Sequence, residues 1–297
     1  MAADTAKVAG SNEAAAQTQP VRRAGRARGG RIALALALLA LAAYLAPLVW
    51  LTIIQRQIIF PRSTTNVAPA DAGLPWAREV RVETGDDESL VGWFIPPETG
   101  KPFLIYLHGN AGTLKGRAPR LRALTDDGAG LLAIEWRGYG GSTGAPSQSG
   151  LQRDALAAYD YAIASGADPK DIVPVGESLG TGLAIWLAGQ RQVAGLVLDS
   201  PYSSIVGVGA SRYWMYPVRL VTRDPFPAID WVRRVHVPIF AVAGDDDHVI
   251  PISSAQEVLA AASEPKTFVV VPGADHVVLA RPEIMKQAKA FIAAVAK

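Results

Sequence analysis

A serine with glycine two positions away on either side, Gly176-Glu177-Ser178-Leu179-Gly180, divides two stretches of different character. Before it, Asp171-Ile172-Val173-Pro174-Val175 reads as a short buried strand. After it, Thr181 to Ala188 reads as a helix packed on a sheet. A strand that becomes a helix within so few residues puts its serine on a sharp, strained turn. A Cβ at either glycine would crowd the neighbouring backbone. The turn lifts the Ser178 hydroxyl above the sheet and aims the first helix amides at the same spot, where negative charge is favoured. This elbow makes Ser178 a candidate nucleophile. The plainer alternative is a glycine-rich turn whose serine only caps the helix.

The rest of the chain beyond residue 75 repeats the same alternation. Residues 79–83 alternate as a strand with one wet face, and 90–95 form a second strand after the turn at Asp86-Asp87-Glu88. Residues 102–107 are a continuous apolar run, as in a strand buried on both faces. Residues 131–134, 172–175, 196–198, 239–242 and 268–271 follow that style. Helical patterns fall at about 117–125, 150–164, 179–188, 253–262 and 283–296. The alternation predicts a mostly parallel eight-stranded sheet with helices on both faces and an antiparallel start. One segment departs from it. Residues 201–235 are too long for a simple helix connection and hold Tyr202, Tyr213, Trp214, Tyr216, Phe226 and Trp231. An aromatic, cap-like excursion beyond the strand ends suits a ligand pocket. Tyr202, Trp214 and Tyr216 are therefore the substrate-binding candidates, against the alternative of a core helix with large side chains.

The N-terminal quarter is different again. Residues 1–31 are rich in Ala, Gly, Ser and Arg without apolar periodicity and read as a disordered basic tail. Ile32 to Ile54 carries no charge. As a helix, its roughly 23 residues span about 34 Å, enough for a hydrocarbon core. Arg22, Arg23, Arg26, Arg28 and Arg31 precede it, and only Arg56 and Arg62 follow closely. That asymmetry predicts a single-pass anchor with a cytoplasmic N-terminus and the later domain on the periplasmic or other extracytoplasmic side. A signal peptide cleaved near Ala42-Ala43 is the competitor. Residues 55–75 read as a connector, and 76–297 as the globular domain.

Composition narrows the chemistry. The chain has no Cys, which removes thiol catalysis, Cys–zinc sites and disulfides. A net charge of +2 supplies no field for nucleic acid. A serine nucleophile needs a base, the base needs an orienting acid, and the oxyanion needs donors. After Ser178 the histidines are His236, His248 and His276. His236 begins a strand, at the wrong end of a parallel sheet. His248 adjoins the acid loop. His276, in the loop after the last strand, can hang over the elbow. The acid falls among Asp245, Asp246 and Asp247 after the strand at 239–242, with Asp199 a weaker candidate. The Leu179 N–H and one from His108-Gly109-Asn110-Ala111-Gly112, with Asn110 preferred, are the expected oxyanion donors. His108 would brace that loop.

Four motifs taken together are specific: LHGNAG at 107–112, EWRGYGGSTG at 135–144, GESLGTG at 176–182 and AGDDDHVIP at 243–251. With them, the chain from about Gln55 onward resembles the α/β-hydrolase-domain serine hydrolases. It is most similar to the small membrane-anchored branch related to the protein depalmitoylases and the serine-aminopeptidase-like hydrolases. The resemblance implies the α/β-hydrolase fold preceded by one transmembrane helix. In the family pattern G-x-x-D-x-[VI]-[VI]-P the acid position corresponds to Asp247. The cysteine cluster by which eukaryotic depalmitoylases attach to membranes is absent here.

The expectation is therefore a serine esterase or thioesterase with the triad Ser178, Asp247 and His276, needing no metal or cofactor. Its partners would be a small-molecule or acylated substrate and a membrane reached through Ile32 to Ile54. Two rivals remain: an aminopeptidase-like serine peptidase, with Glu177 or Asp199 holding a substrate amine, and an inactive membrane-anchored scaffold.

Overall fold

A computed structural model describes residues 21–296, so the sequence reading of residues 1–20 lies outside the described residues. The chain divides into two units, the first ending at Leu51 and the second beginning at Thr52.

The first element is α1 (Val21–Ile59), whose stretch Arg28–Ile59 is long and apolar enough to cross a membrane. Its bounds correct the sequence reading at both ends. Residues 21–31, read as disordered tail, and 55–59, read as connector, are helical. The Ala/Arg-rich and Gln-Arg-Gln flanks are good helix formers, and Pro61 is the first residue beyond Pro47 that cannot continue the hydrogen-bonded ladder.

The second unit carries β1 (Arg78–Glu83), β2 (Ser89–Ile95), β3 (Phe103–Leu107), α2 (Ala118–Thr125), β4 (Gly130–Ile134), α3 (Gln148–Ala164), β5 (Ile172–Glu177), α4 (Leu179–Ala188) and β6 (Leu196–Asp199). It continues through α5 (Ile205–Arg212), α6 (Val218–Val221), α7 (Ala228–Val232), β7 (Ile239–Gly244), α8 (Ile252–Ala261), β8 (Lys266–Val271) and α9 (Pro282–Val295). The strands form one eight-stranded sheet in the order β1-β2-β4-β3-β5-β6-β7-β8. β2 pairs antiparallel with both β1 and β4, and every later pairing is parallel.

Strand period two splits the core by sheet face. In β3, Phe103, Ile105 and Leu107 join the cluster containing the buried residues of α3 and α4. Leu104 and Tyr106 join the opposite cluster, with residues of α2 and α9. A central strand with both faces covered must be apolar throughout, and all five β3 residues are buried. The excursion after β6 folds as α5, α6 and α7, three short helices that sequence periodicity did not resolve.

Parallel pairing aligns the carboxyl ends of β3, β5, β6, β7 and β8 along one rim of the sheet. The loops that follow them meet there.

Candidate active site

The turn from β5 into α4 is built as the glycine spacing requires. Ser178 sits at φ 49° and ψ −115°, a conformation that a residue with a Cβ adopts only under constraint. A Cβ on Gly176 would lie 2.6 Å from the Thr181 Cα, and one on Gly180 would overlap the Leu107 carbonyl. The Ser178 N–H donates to the Asp199 carbonyl at 2.8 Å, and the Thr181 N–H donates to the Ser178 carbonyl at 2.9 Å.

His276, from the loop after β8, places Nε2 2.8 Å from Ser178 Oγ. Its Nδ1 lies 2.7 Å from Oδ2 of Asp247, which follows β7. The other Asp247 oxygen accepts the N–H groups of Val249 and Ile250, each at 2.8 Å. Burial would raise the Asp247 pKa, but His276 and these two amides hold it below the ordinary carboxylate value. The neighbouring aspartates face elsewhere. Asp245 accepts the Gly273 N–H at 2.6 Å, and Asp246 is exposed beside His248. The structure thus brings Ser178, His276 and Asp247 into one hydrogen-bonded line.

Leu179 and the 108–112 loop border the same serine. Leu179 is the first residue of α4, so its N–H has no partner four residues back in the helix. A Cβ on Gly109 would touch the Ser178 Cβ at 3.4 Å, which puts the 108–112 loop against the elbow. The Asn110 side chain donates to the Ile59 carbonyl at 3.0 Å, and the Asn110 main-chain carbonyl accepts the Tyr139 hydroxyl at 2.7 Å. His108 is fully buried. Its Nδ1 donates to the Gly109 carbonyl at 2.6 Å, and its main-chain carbonyl accepts the Trp136 indole N–H at 3.0 Å. It holds the loop from beneath.

The substrate-binding candidates differ sharply in burial. Tyr202 is fully buried, and its hydroxyl donates to the Leu179 carbonyl at 3.2 Å. It packs where a Cβ on Gly182 would collide with its hydroxyl. Tyr202 is therefore a buried support for α4. Trp214 is exposed and Tyr216 half-buried, in the turn between α5 and α6.

Two charged groups have roles that sequence reasoning did not assign. Glu177 is buried beside the serine. It accepts hydrogen bonds from Arg117, Arg120, the Tyr106 hydroxyl and the Gly109 N–H. Burial raises its pKa, but the two guanidinium groups outweigh this and pull it down to about 2. The signal lay in a carboxylate beside the elbow and two arginines on one predicted helix, without anything to pair them. Asp199 is the second. Its carboxylate accepts the Val278 N–H at 2.9 Å and the Leu279 N–H at 3.0 Å. Full burial pushes its pKa up to about 6 against the pull of Arg120 and those amides. Next to it, the Ser200 hydroxyl accepts the Val277 N–H at 3.1 Å.

Backbone strain collects at the same place. Ser178, Ser200 and Val277 all have positive φ, three of the five such non-glycine residues among those described. At β-branched Val277, the Ser200 hydroxyl and the Asp199 carboxylate hold this conformation through the N–H groups of 277–279.

Comparison with known proteins matches residues 102–218 to the family model described as alpha/beta hydrolase fold. The uncharacterized protein Rv2307c of Mycobacterium tuberculosis is 41% identical over 225 residues, covering 75% of this chain and 80% of that one. The lysophosphatidylserine lipase ABHD12 of Xenopus tropicalis is 28% identical over 248 residues, covering 67% and 63%. Among solved structures, the Pyrococcus furiosus esterase Pf2001 superposes with a TM-score of 0.66 at 20% identity, covering 80% of this chain and 97% of that one. That last likeness concerns the fold.

Proposed function

The chain belongs to the α/β-hydrolase fold family, and on that premise we propose that it is a membrane-anchored serine hydrolase cleaving carboxylic esters or thioesters through an acyl-enzyme on Ser178. The observation that carries this reading is the line from Ser178 Oγ to His276 Nε2 at 2.8 Å and from His276 Nδ1 to Asp247 at 2.7 Å.

The steps follow from that line. Ser178 Oγ attacks the acyl carbon as His276 Nε2 takes its proton, and Asp247 stabilises the imidazolium and keeps the ring's orientation. The carbonyl oxygen gains the electron pair and is received by the N–H groups of Leu179 and Asn110. Each such donor contributes roughly 3 kcal/mol in hydrolases of this kind. Collapse expels the alcohol or thiol, which leaves with the proton from His276. Water then attacks the acyl-enzyme by the same route, giving the carboxylic acid and free Ser178.

The name of a lipase among the similar proteins favours an acyl ester over a peptide. The state of Glu177 argues the same way. Both of its oxygens are already engaged by arginine side chains, so it has no free acceptor for a substrate amine. Asp199 is likewise committed to two backbone amides. The anchor is the apolar stretch of α1.

The test uses the full chain in detergent. A fluorophosphonate probe should label the wild type and leave Ser178→Ala unlabelled. p-Nitrophenyl esters and acyl thioesters should be turned over much faster than aminoacyl anilides. Equal labelling of the two proteins would remove Ser178 as nucleophile, and faster anilide turnover would replace the esterase by the peptidase.

A further inference from the structure

The excursion between β6 and β7 carries a surface that the hydrolytic chemistry does not use. Trp214 is 78% exposed, Met215 58% and Leu220 86%, so three large apolar side chains of one segment face outward together. From residue 200 to 223 the sequence holds Arg212, Arg219 and Arg223 and no acidic residue. All three arginines are exposed, and none is in an ion pair among the described residues. The first acid after them, Asp224, is buried and taken by Arg56 at 2.7 Å. The segment therefore presents large apolar side chains among unneutralised positive charge.

Its place in the chain says what such a surface meets. The Gln55 side chain donates to the Val221 carbonyl at 3.2 Å and accepts the Arg223 N–H at 2.7 Å. Gln55 follows Ile54, the last residue of the uncharged run. Leu220 thus precedes a residue bonded to the point where that run ends. Asn110 is tied to Ile59 one helical turn further on. If the run crosses a bilayer, the α5–α6 segment is held where it leaves the hydrocarbon.

We propose that the α5–α6 segment is a second membrane contact, with Trp214 and Leu220 entering the interfacial layer of an anionic bilayer and Arg212, Arg219 and Arg223 meeting its phosphates. The proposal rests on the anchor reading given above. Indole favours the headgroup layer, and an exposed leucine gains by leaving water. Arginines near an anionic surface add an attraction that salt screens. The contact would hold the mouth of the site against the lipid, so that an acyl substrate could reach Ser178 from the bilayer.

The absence of Cys makes single labels straightforward. Full-length Leu220→Cys, Leu41→Cys and Ser165→Cys chains, each carrying an environment-sensitive fluorophore, would be reconstituted in nanodiscs containing nitroxide-quencher lipids. Leu41 reports the anchor. Ser165 caps the end of α3, on the side where β5 begins and away from the rim that carries the site. In equal parts phosphatidylglycerol and phosphatidylcholine, the Leu41 and Leu220 labels should be quenched and the Ser165 label should not. Adding Arg212→Gln or Arg219→Gln should weaken docking about fivefold for each charge removed. A quenched Leu41 with Leu220 no different from Ser165 overturns the contact while leaving the anchor standing. An unquenched Leu41 overturns the anchor reading instead. Equal Leu220 quenching in phosphatidylcholine alone, unchanged by the arginine substitutions, overturns the anionic part. A Leu220 label that shifts to the blue without quenching points to a protein in that place and also overturns the proposal.

Discussion

The main-chain carbonyl of Asp199 accepts the N–H of Ser178 at 2.8 Å, while the same residue's carboxylate holds Val278 and Leu279 beyond the base. One residue at the end of β6 therefore fixes the backbone on both sides of the Ser178–His276 hydrogen bond. An aspartate that holds a loop is easily confused with one that orients a histidine, and the two roles can be separated by experiment.

Asp247→Asn should keep the fold and lose roughly 10³- to 10⁴-fold in turnover, because an amide at that position favours the wrong imidazole tautomer. Asp245→Asn, Asp246→Asn and Asp199→Asn should each lose far less. Steady-state kinetics on the four variants checks this, and a ranking headed by Asp199→Asn would move the acid to the earlier strand.

Asp199 should also leave a signature in stability against pH. Its pKa of about 6 in the fold lies above the ordinary 3.8, so the folded protein favours the protonated form. That contribution is fully present below pH 3.8 and is lost as pH rises through 6. Asp199→Asn cannot ionise. Between pH 4 and pH 7 the stability difference should therefore shift toward the variant by about 2 kcal/mol. Urea denaturation of both proteins across that window reads the shift, and a difference that does not vary with pH would contradict it.

Glu177 runs in the opposite sense. Its pKa of about 2 lies below the ordinary 4.5, so its contribution is present above pH 4.5 and is lost as pH falls toward 2. Glu177→Gln leaves two nearly buried guanidinium groups without a counter-charge and should cost about 3 kcal/mol or more at neutral pH. Replacing Arg117 and Arg120 by methionine in the same chain should recover part of that loss. A Glu177→Gln protein as stable as the wild type would mean that the cluster is not needed for folding.

Topology is testable by fusion. With α1 as an uncleaved anchor and the arginines before it retained in the cytoplasm, a reporter after Lys297 that works only outside the cytoplasm should be active. Recovery of a soluble protein whose N-terminus lies near Tyr44 would identify a cleaved signal instead.

The strand–elbow–helix order was legible in the sequence because its determinants are local. Gly176, Ser178 and Gly180 act on one another across two residues, and buried parallel strands must be apolar on both faces. The eight strands are recognisable for the same reason. The insertion of β4 between β2 and β3 was not, since strand order depends on how crossover helices pack and not on any one strand. The residue patterns left Asp245, Asp246, Asp247 and Asp199 open, because each is a short carboxylate near a strand end. The direction in which the loop turns after β7 decided that Asp247 meets His276. Tyr202 looked like a pocket aromatic and is a buried prop, because only its packing against α4 shows which side it faces. Glu177 looked available to a ligand, but Arg120 and Arg117, 57 and 60 residues earlier, close on it from α2 and the turn before it. Backbone geometry and apolar periodicity are properties of neighbours in sequence, whereas the partner and burial of a charge are set by residues that only the folded chain brings within reach.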